Sequence, residues 1–204
     1  AVTHLAPGAL AGGGNPAVTF SGGRAAVSHS AALNPEGSFT VEAWANPLNA
    51  AAGSRVLVQS MINGEYPDNP NDRSGWVFRQ NGANLEFLIG GLDGAPFYTT
   101  TLTAQGAVTA GAWNHYAAVY DGDTLDLALF VNGVLVTNVT VDAPVLPNTA
   151  APILLGDRGY GGWTFQGGLG EGAVYPARPT PAQLLAHYEA GVNPATAADY
   201  PAVI

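Results

Sequence analysis

At 204 residues the chain has the length of a single β-sandwich domain, and it can bury roughly 70% of its unfolded surface, which fits its lack of cysteine. Its formal charge is −9. The six basic residues, all arginines, are scattered, which argues against nucleic-acid binding because phosphates are neutralised by clustered cations. No apolar run approaches the roughly 20 residues that span a membrane, so membrane insertion is not expected.

The first 15 residues are small and glycine-rich, and they predict a lead-in or linker over residues 1–15. Residues 16–204 are expected to form one domain, because no internal repeat divides them. Twelve short strand-like segments are separated there by Gly, Asn and Pro, a pattern typical of a sandwich. They are Ala17–Phe20, Ala25–His29, Ser38–Asn46, Arg55–Ile62, Gly75–Arg79, Leu85–Ile89, Phe97–Leu102, Trp113–Tyr120, Asp126–Val131, Val134–Val141, Ile153–Leu155 and Gln166–Tyr175.

Three short motifs between these segments predict β-hairpins: Asn81-Gly82, Asn132-Gly133 and Asp121-Gly122-Asp123. Asn-Gly and Asp-Gly favour hairpins because both central residues of a type I′ turn need a positive φ.

A single helix is predicted near the C-terminus. Thr180 is a suitable N-cap, Pro181 suits the first helical position, and Gln183 is the capping-box partner. Gly191 is predicted to end the helix as a C′ glycine. The residues expected to pack on the sandwich are Leu184, Leu185 and Tyr188.

Two aromatic-rich segments with alternating apolar and polar residues predict a pair of central strands, Phe39–Trp44 and Trp113–Gly122. Together with Ala26–Pro35, Leu129–Gly133 and Phe165–Glu171 they resemble, in order and spacing, the bacterial laminin-G-like modules of the concanavalin A-like lectin and glucanase superfamily. The resemblance covers residues 17–191. It departs at position 170, where the family often has Asp and this chain has Gly, so any role of that Asp does not carry over.

This resemblance implies an all-β fold, an antiparallel jelly-roll β-sandwich of two packed sheets with a short C-terminal helix. In function it implies a non-catalytic carbohydrate-binding or adhesion module of a secreted or cell-surface bacterial protein, with a polysaccharide or glycan as partner. Two alternatives remain open. One is a structural or protein-interaction spacer with a protein partner, and the other is a glycoside hydrolase or lyase with a nonstandard site. The fold alone does not decide between them, since one fold supports many functions.

Enzymatic activity is not expected, because the paired carboxylates of the superfamily's hydrolases are missing. Such sites need an acid and a nucleophile about 5 Å apart, which alternate residues of one strand provide. The hydrolases' Glu-x-Asp-x-x-Glu pattern is absent, and its nearest approach, Asp121–Asp126, is interpreted as a solvated hairpin turn. Glu42 and Glu171 are expected to bond backbone or turn groups, with catalysis as the open alternative.

Three residues of the central strands are interpreted as structural. Trp44 and Trp113 are expected to anchor the core, with a sugar platform as the alternative, because strands of a sandwich bury alternate residues. His115 is expected to be a hydrogen-bonded histidine of the interior.

A polar loop over residues 63–73 combines carboxylate and amide side chains with two prolines. Calcium prefers six to eight oxygen ligands, and prolines can order such a loop in advance. Laminin-G-like domains often bind calcium at the rim of the sandwich, so the composition and the resemblance together suggest Asp68, Asn69 and Asp72 as calcium ligands. An ordinary polar loop is the alternative.

A second loop, residues 156–163, carries aromatic side chains among glycines. Tyr160 and Trp163 are predicted to stack on the apolar faces of sugar rings, with Asp157 and Arg158 bonding the sugar hydroxyls. Tyr66 of the first loop is included in this ligand-binding set. The alternative for Trp163 is that it plugs one end of the sandwich.

Overall fold

The computed structural model describes residues 1–11, 15–62, 73–92 and 95–193. The strands are β1 (Val2–Ala6), β2 (Ala17–Ser21), β3 (Ala25–Val27), β4 (Phe39–Pro47), β5 (Ser54–Ile62), β6 (Ser74–Asn81), β7 (Asn84–Leu92), β8 (Ala95–Ala104), β9 (Asn114–Asp121), β10 (Asp126–Val131), β11 (Val134–Thr140), β12 (Ile153–Leu155) and β13 (Gln166–Tyr175). A 3-10 turn covers Ala31–Leu33, and helix α1 covers Pro181–Val192.

The strands form two antiparallel sheets. The seven-stranded sheet has the order β1-β2-β13-β4-β9-β10-β11, and the six-stranded sheet has the order β3-β12-β5-β6-β7-β8. Hairpin neighbours such as β9-β10-β11 and β5-β6-β7-β8 are combined with strands from distant parts of the chain, as where β13 lies between β2 and β4. This is the jelly-roll sandwich that the sequence predicts, and all twelve predicted strands are present.

The core lies between the two sheets and consists of alternate residues of their strands. Strand β4 contributes Phe39 and Val41, and strand β9 contributes Tyr116 and Tyr120, all of them fully buried. The facing strands β6 and β7 add Phe78 and other aromatic side chains to the same cluster. Because successive side chains of a strand point to opposite faces, the alternation in the sequence determines which residues enter the core.

The residues before the first predicted strand also contribute to a sheet. Val2–Ala6 forms strand β1, which pairs antiparallel with β2 at one edge of the seven-stranded sheet. The predicted lead-in, residues 1–15, therefore includes an edge strand. The local sequence of Val2–Ala6 does not indicate this strand, because only its long-range pairing with β2 defines it.

The hairpin turns follow the glycine motifs. Asn132 and Gly133 have φ angles of 51° and 76°, as a type I′ turn requires. In the β6–β7 hairpin the turn lies one residue further along than predicted, since Asn81 is the last residue of β6 and Gly82, with φ 61°, begins the turn.

Helix α1 begins as predicted but ends later. Thr180 is its N-cap and forms a capping box with Gln183. Gly191 was expected to stop the helix, yet it lies inside it and Asn193 is the C-cap. A Cβ atom on Gly191 would lie 2.3 Å from the Trp44 ring. The glycine is therefore needed for close packing on the sheet, and this differs from the predicted role.

Candidate functional site

The loop between β12 and β13 returns over the six-stranded sheet on the face turned away from the core, here called the outer face. On this face the half-buried Trp163 packs against a small apolar cluster, Val56, Met61, Val77 and Leu88. The backbone N–H of Val56 donates to the carbonyl oxygen of Trp163 at 2.7 Å. Trp163 has φ 58°, an uncommon conformation for a bulky residue, so tertiary packing holds the indole against the sheet.

Two guanidinium groups lie against the aromatic rings of this loop. The Cζ atom of Arg79 is 4.6 Å from the centroid of Trp163, and that of Arg158 is 4.8 Å from the same centroid. Arg158 also lies 4.5 Å from the centroid of Tyr160. Such contacts are attractive because the ring quadrupole is negative over its face. They fix Arg158 beside both aromatic side chains.

Arg79 is held by a carboxylate on the neighbouring strand. Its Nε donates to Glu86 at 2.5 Å, and the side-chain amide of Asn81 donates to the other carboxylate oxygen at 3.0 Å. Both members of the ion pair are largely buried, with side chains 14% and 8% exposed. The positive charge of Arg79 is therefore neutralised within the sheet.

The backbone of the loop is fixed by its own polar groups. Asp157 accepts hydrogen bonds from the N–H of Gly159 at 2.6 Å and from the hydroxyl of Thr164 at 3.0 Å. Arg158 donates through Nε to the carbonyl of Gly161 at 2.6 Å. Both carboxylate oxygens of Asp157 thus have partners within the loop. Tyr160, in contrast, is 57% exposed as a residue.

The structure brings four of the predicted ligand-binding residues onto one surface: Asp157, Arg158, Tyr160 and Trp163. Trp163 lies on the outer face instead of at an end of the sandwich, and sheet residues cover part of its ring. Sequence reasoning missed Arg79 and Glu86. The Asn81-Gly82 hairpin contains the signal for this pair, because its register places Arg79 opposite Glu86.

The predicted calcium ligands Asp68, Asn69 and Asp72, and the predicted ligand residue Tyr66, lie outside the described residues. Within the described ranges no group of three or more His, Asp or Glu side chains is arranged to hold a metal ion. The same part of the chain contains no helix long and apolar enough to cross a membrane.

The Asp121–Asp126 segment forms the β9–β10 hairpin loop, as predicted. Asp121 accepts from the N–H of Asp123 at 2.9 Å and pairs with Arg178, which also lies 3.6 Å from the carboxylate of Asp123. The carboxylate of Asp126 accepts from two threonine hydroxyls, and these bonds lower its pKa.

A buried network lies beneath helix α1, on the outer side of the seven-stranded sheet. Glu42 accepts a hydrogen bond from His115 Nε2 at 2.8 Å, from His187 Nδ1 at 2.9 and 3.0 Å, and from the Tyr175 hydroxyl. Burial alone would raise the pKa of Glu42, but these bonds outweigh it and lower the pKa to about 2. Glu42 therefore bonds side chains and not the backbone or turn groups expected of it.

The other central-strand predictions agree in part with the structure. His115 is buried and hydrogen-bonded, as predicted, although its Nδ1 has no partner among the described residues. Trp44 is buried, whereas Trp113 is half-buried. The Trp113 ring covers Gly168, where a Cβ atom would lie 2.7 Å from it. Glu171 receives a hydrogen bond from the side chain of Asn15.

Comparison with solved structures finds the same fold in binding domains. The CBM40 of the Ruminococcus gnavus IT-sialidase, bound to alpha2,3 sialyllactose, has a TM-score of 0.62 at 18% identity, covering 81% of this chain and 97% of that one. The botulinum neurotoxin serotype G binding domain has a TM-score of 0.68 at 10% identity, covering 92% of this chain and 44% of its own. The binding domain of Paraclostridial Mosquitocidal Protein 1 has a TM-score of 0.67 at 14% identity, covering 92% of this chain and 45% of its own.

The chain thus spans less than half the length of each toxin domain. No curated protein matches the sequence. A family model described as the concanavalin A-like lectin/glucanases superfamily matches residues 20–184, which is most of the chain. The chain therefore belongs to the laminin-G-like family of the concanavalin A-like lectin/glucanases superfamily.

Proposed function

We propose that the chain is a non-catalytic carbohydrate-binding module whose glycan lies on the outer face of the six-stranded sheet, against Tyr160, Arg158 and Trp163. The observation that carries this proposal is the position of Arg158, 4.5 and 4.8 Å from the two ring centroids, with Tyr160 exposed beside it. Sugar sites combine an aromatic surface with a few directional polar groups, and this arrangement contains both.

The roles of the side chains follow from their partners. Trp163 is held by the apolar cluster and serves as the rigid part of the surface, while the exposed ring of Tyr160 stacks on a sugar face. Arg158 uses Nε within the loop and keeps its terminal nitrogens for the ligand. Asp157 orders the loop, since both its oxygens are engaged there. Preorganised loops of this kind lose little entropy on binding.

The charge of Arg158 favours an acidic sugar. Among the described residues no carboxylate lies within ion-pair distance of Arg158, whereas Arg79 is neutralised by Glu86. A guanidinium binds carboxylates through paired hydrogen bonds. The likeness to a module bound to sialyllactose makes that sugar a suitable first probe.

A non-catalytic role is supported by the chemistry of the buried carboxylate. Glu42 has a pKa of about 2, accepts hydrogen bonds from three side chains and lies under helix α1. A group that stays ionised at neutral pH and is covered by a helix does not suit general acid catalysis.

Calcium binding through Asp68, Asn69 and Asp72 remains part of the proposal and rests on the composition of their loop and on the family resemblance. Secretion or a cell-surface location, and a role in adhesion, are proposed on the same resemblance.

A protein-interaction module is the second candidate, and one observation favours it. Edge strand β11 ends the seven-stranded sheet and exposes three successive apolar side chains, Val134, Leu135 and Val136. Exposed apolar edge strands are common sites of strand addition by a partner. Binding of a protein with loss on Val134→Lys, together with failure of every glycan, would favour this function.

Tryptophan fluorescence tests the carbohydrate proposal. 3′-Sialyllactose, lactose and soluble acidic and neutral polysaccharides are titrated against the chain and against Trp163→Phe, which keeps an aromatic ring on the apolar cluster. Saturable quenching by a glycan, strongly reduced in Trp163→Phe, is expected. Trp44 and Trp76 are buried, and the half-buried Trp113 lies against Gly168 of the seven-stranded sheet. Absence of a glycan-dependent signal, or an equal signal in the variant, would argue against this face as the binding site.

A further inference from the structure

A cleft of about 460 Å³ opens between the two sheets. Strands β2, β4 and β13 form one wall, and β3, β5 and β12 form the other. Protein interiors are normally packed with few voids larger than a water molecule. The volume of the cleft lies instead within the range of small-molecule sites, roughly 300–1,000 Å³.

The walls of the cleft are aliphatic. Its lining includes Val18, Val41, Leu57, Ile153 and Leu169. Several of the aliphatic side chains at its opening are incompletely covered, and Val27 on β3 is 47% exposed. Water fills such a space poorly, because an ordered water needs two to four polar partners.

A bulge in β13 creates the polar mouth of this cleft. The pairing of β13 with β4 shifts between Gly170 and Ala173, so that Glu171 and Gly172 together lie opposite the single β4 residue Ala43. Glu171 has φ 48° there and lines the cleft together with Asn15. Burial raises the pKa of Glu171, and the Asn15 side chain opposes this by donating a hydrogen bond.

We propose that this cleft binds a small apolar molecule carrying one hydrogen-bond donor, with the apolar part between the sheets and the donor on the carboxylate of Glu171. A medium-chain alcohol is the simplest such ligand. Apolar burial supplies the affinity, and the carboxylate selects against an anionic head group. This site is separate from the proposed glycan surface, which involves neither Glu171 nor the lining residues of the cleft.

Methyl NMR and calorimetry with 1-octanol and octanoate test this proposal, at about pH 8, where octanoate is ionised. We expect saturable shifts of the Leu57, Ile153 and Leu169 methyl resonances with 1-octanol. Octanoate is expected to bind at least about tenfold more weakly, because its charge faces Glu171. Glu171→Gln should remove most of this difference.

The same substitution, valine to tryptophan, is made inside the cleft and on a distant strand to test where octanol binds. Val27→Trp places a large ring in the cleft and should weaken octanol binding at least about tenfold, whereas Val134→Trp, on exposed strand β11, should leave it unchanged. Val174→Phe fills the cleft from the opposite sheet and repeats the test if Val27→Trp does not fold.

Three results would overturn the proposal: no saturable binding, methyl shifts located away from the cleft, or equal effects of Val27→Trp and Val134→Trp. Equal binding of octanol and octanoate by the unchanged chain would overturn the role of Glu171.

Discussion

Glu42 on strand β4 accepts hydrogen bonds from Nδ1 of His187 on helix α1, at 3.0 and 2.9 Å. Residues 145 positions apart are thereby joined, and the C-terminal helix is tied to the centre of the seven-stranded sheet. Trp44, two residues further along β4, stacks on Tyr188 of the same helix with ring centroids 5.8 Å apart. The attachment of the helix therefore has one hydrogen-bonded and one aromatic component.

The lowered pKa of Glu42 predicts that the stability of the fold depends on pH in the acid range. Because the folded-state pKa of Glu42 is about 2, below its ordinary value of 4.5, ionisation stabilises the fold above about pH 4.5. That contribution is lost as the pH falls towards 2. The lowering of the pKa from 4.5 to about 2 corresponds to a stabilisation of the folded state by on the order of 3 kcal/mol at neutral pH.

Glu42→Gln should therefore lower the free energy of unfolding by on the order of 3 kcal/mol at pH 7. Urea denaturation of both chains at several pH values between 7 and 2 measures the difference. It should shrink through the acid range, because a protonated glutamate resembles glutamine. A difference that stays constant down to pH 2 would disprove the assigned ionisation.

Glu171 should behave in the opposite way. Burial raises its pKa above the unfolded value, so stability falls as the pH rises through the folded-state pKa and is greater below the unfolded one. Glu171→Gln is expected to raise the melting temperature at pH 7 and to have little effect near pH 3. A lower melting temperature of the variant at pH 7 would contradict the assignment.

Gly191→Ala tests the close contact of helix and sheet. Alanine normally stabilises a helix interior by about 1 kcal/mol relative to glycine. Here its Cβ would meet the Trp44 ring, so a net destabilisation of about 1–3 kcal/mol is expected. Gly37→Ala, whose Cβ would meet nothing within 4 Å, is the control for chemical denaturation. Stabilisation by Gly191→Ala would contradict the close contact between Gly191 and the Trp44 ring.

Calcium binding is predicted to appear in thermal unfolding. A chelator should lower the melting temperature, since a site occupied at 100 times its dissociation constant contributes about 2.7 kcal/mol. Asp68→Ala combined with Asp72→Ala should remove this sensitivity. The double variant Asp123→Ala with Asp142→Ala, which removes two exposed carboxylates, should retain it. A melting curve unaffected by the chelator would refute the calcium site.

The fold could be predicted from the sequence to a large extent, because alternation and turn residues act locally. The strands on either side of Asn132-Gly133 are examples: both turn residues adopt the positive φ that the motif demands. Strand β1 was missed because its pairing with β2 is its only defining feature. Gly191 was misassigned, since a glycine that ends a helix and one that admits a neighbouring ring look alike in sequence.

The candidate surface could be predicted only in part. The aromatic and glycine content of residues 156–163 predicts Tyr160 and Trp163 as ligand-binding residues, but the position of the Trp163 ring depends on the apolar cluster against which it packs. Arg79 and Glu86 follow from hairpin register, although their position next to Trp163 requires the tertiary fold. The mouth of the cleft is formed at the β13 bulge that contains Glu171. The local sequence does not predict this bulge, because it is defined by the pairing of β13 with β4.

The most direct test of glycan binding at the Tyr160 and Arg158 surface is a glycan array. It compares the unaltered protein with the variants Tyr160→Ala, Arg158→Ala and Arg178→Ala. Arg178 is an exposed arginine at the opposite sheet, paired with Asp121, and serves as the matched control. We predict binding to glycans, with a preference for acidic ones, that is lost in Tyr160→Ala and Arg158→Ala and retained in Arg178→Ala. Binding that survives both of the first two substitutions, or no binding to any glycan, would contradict the proposed function.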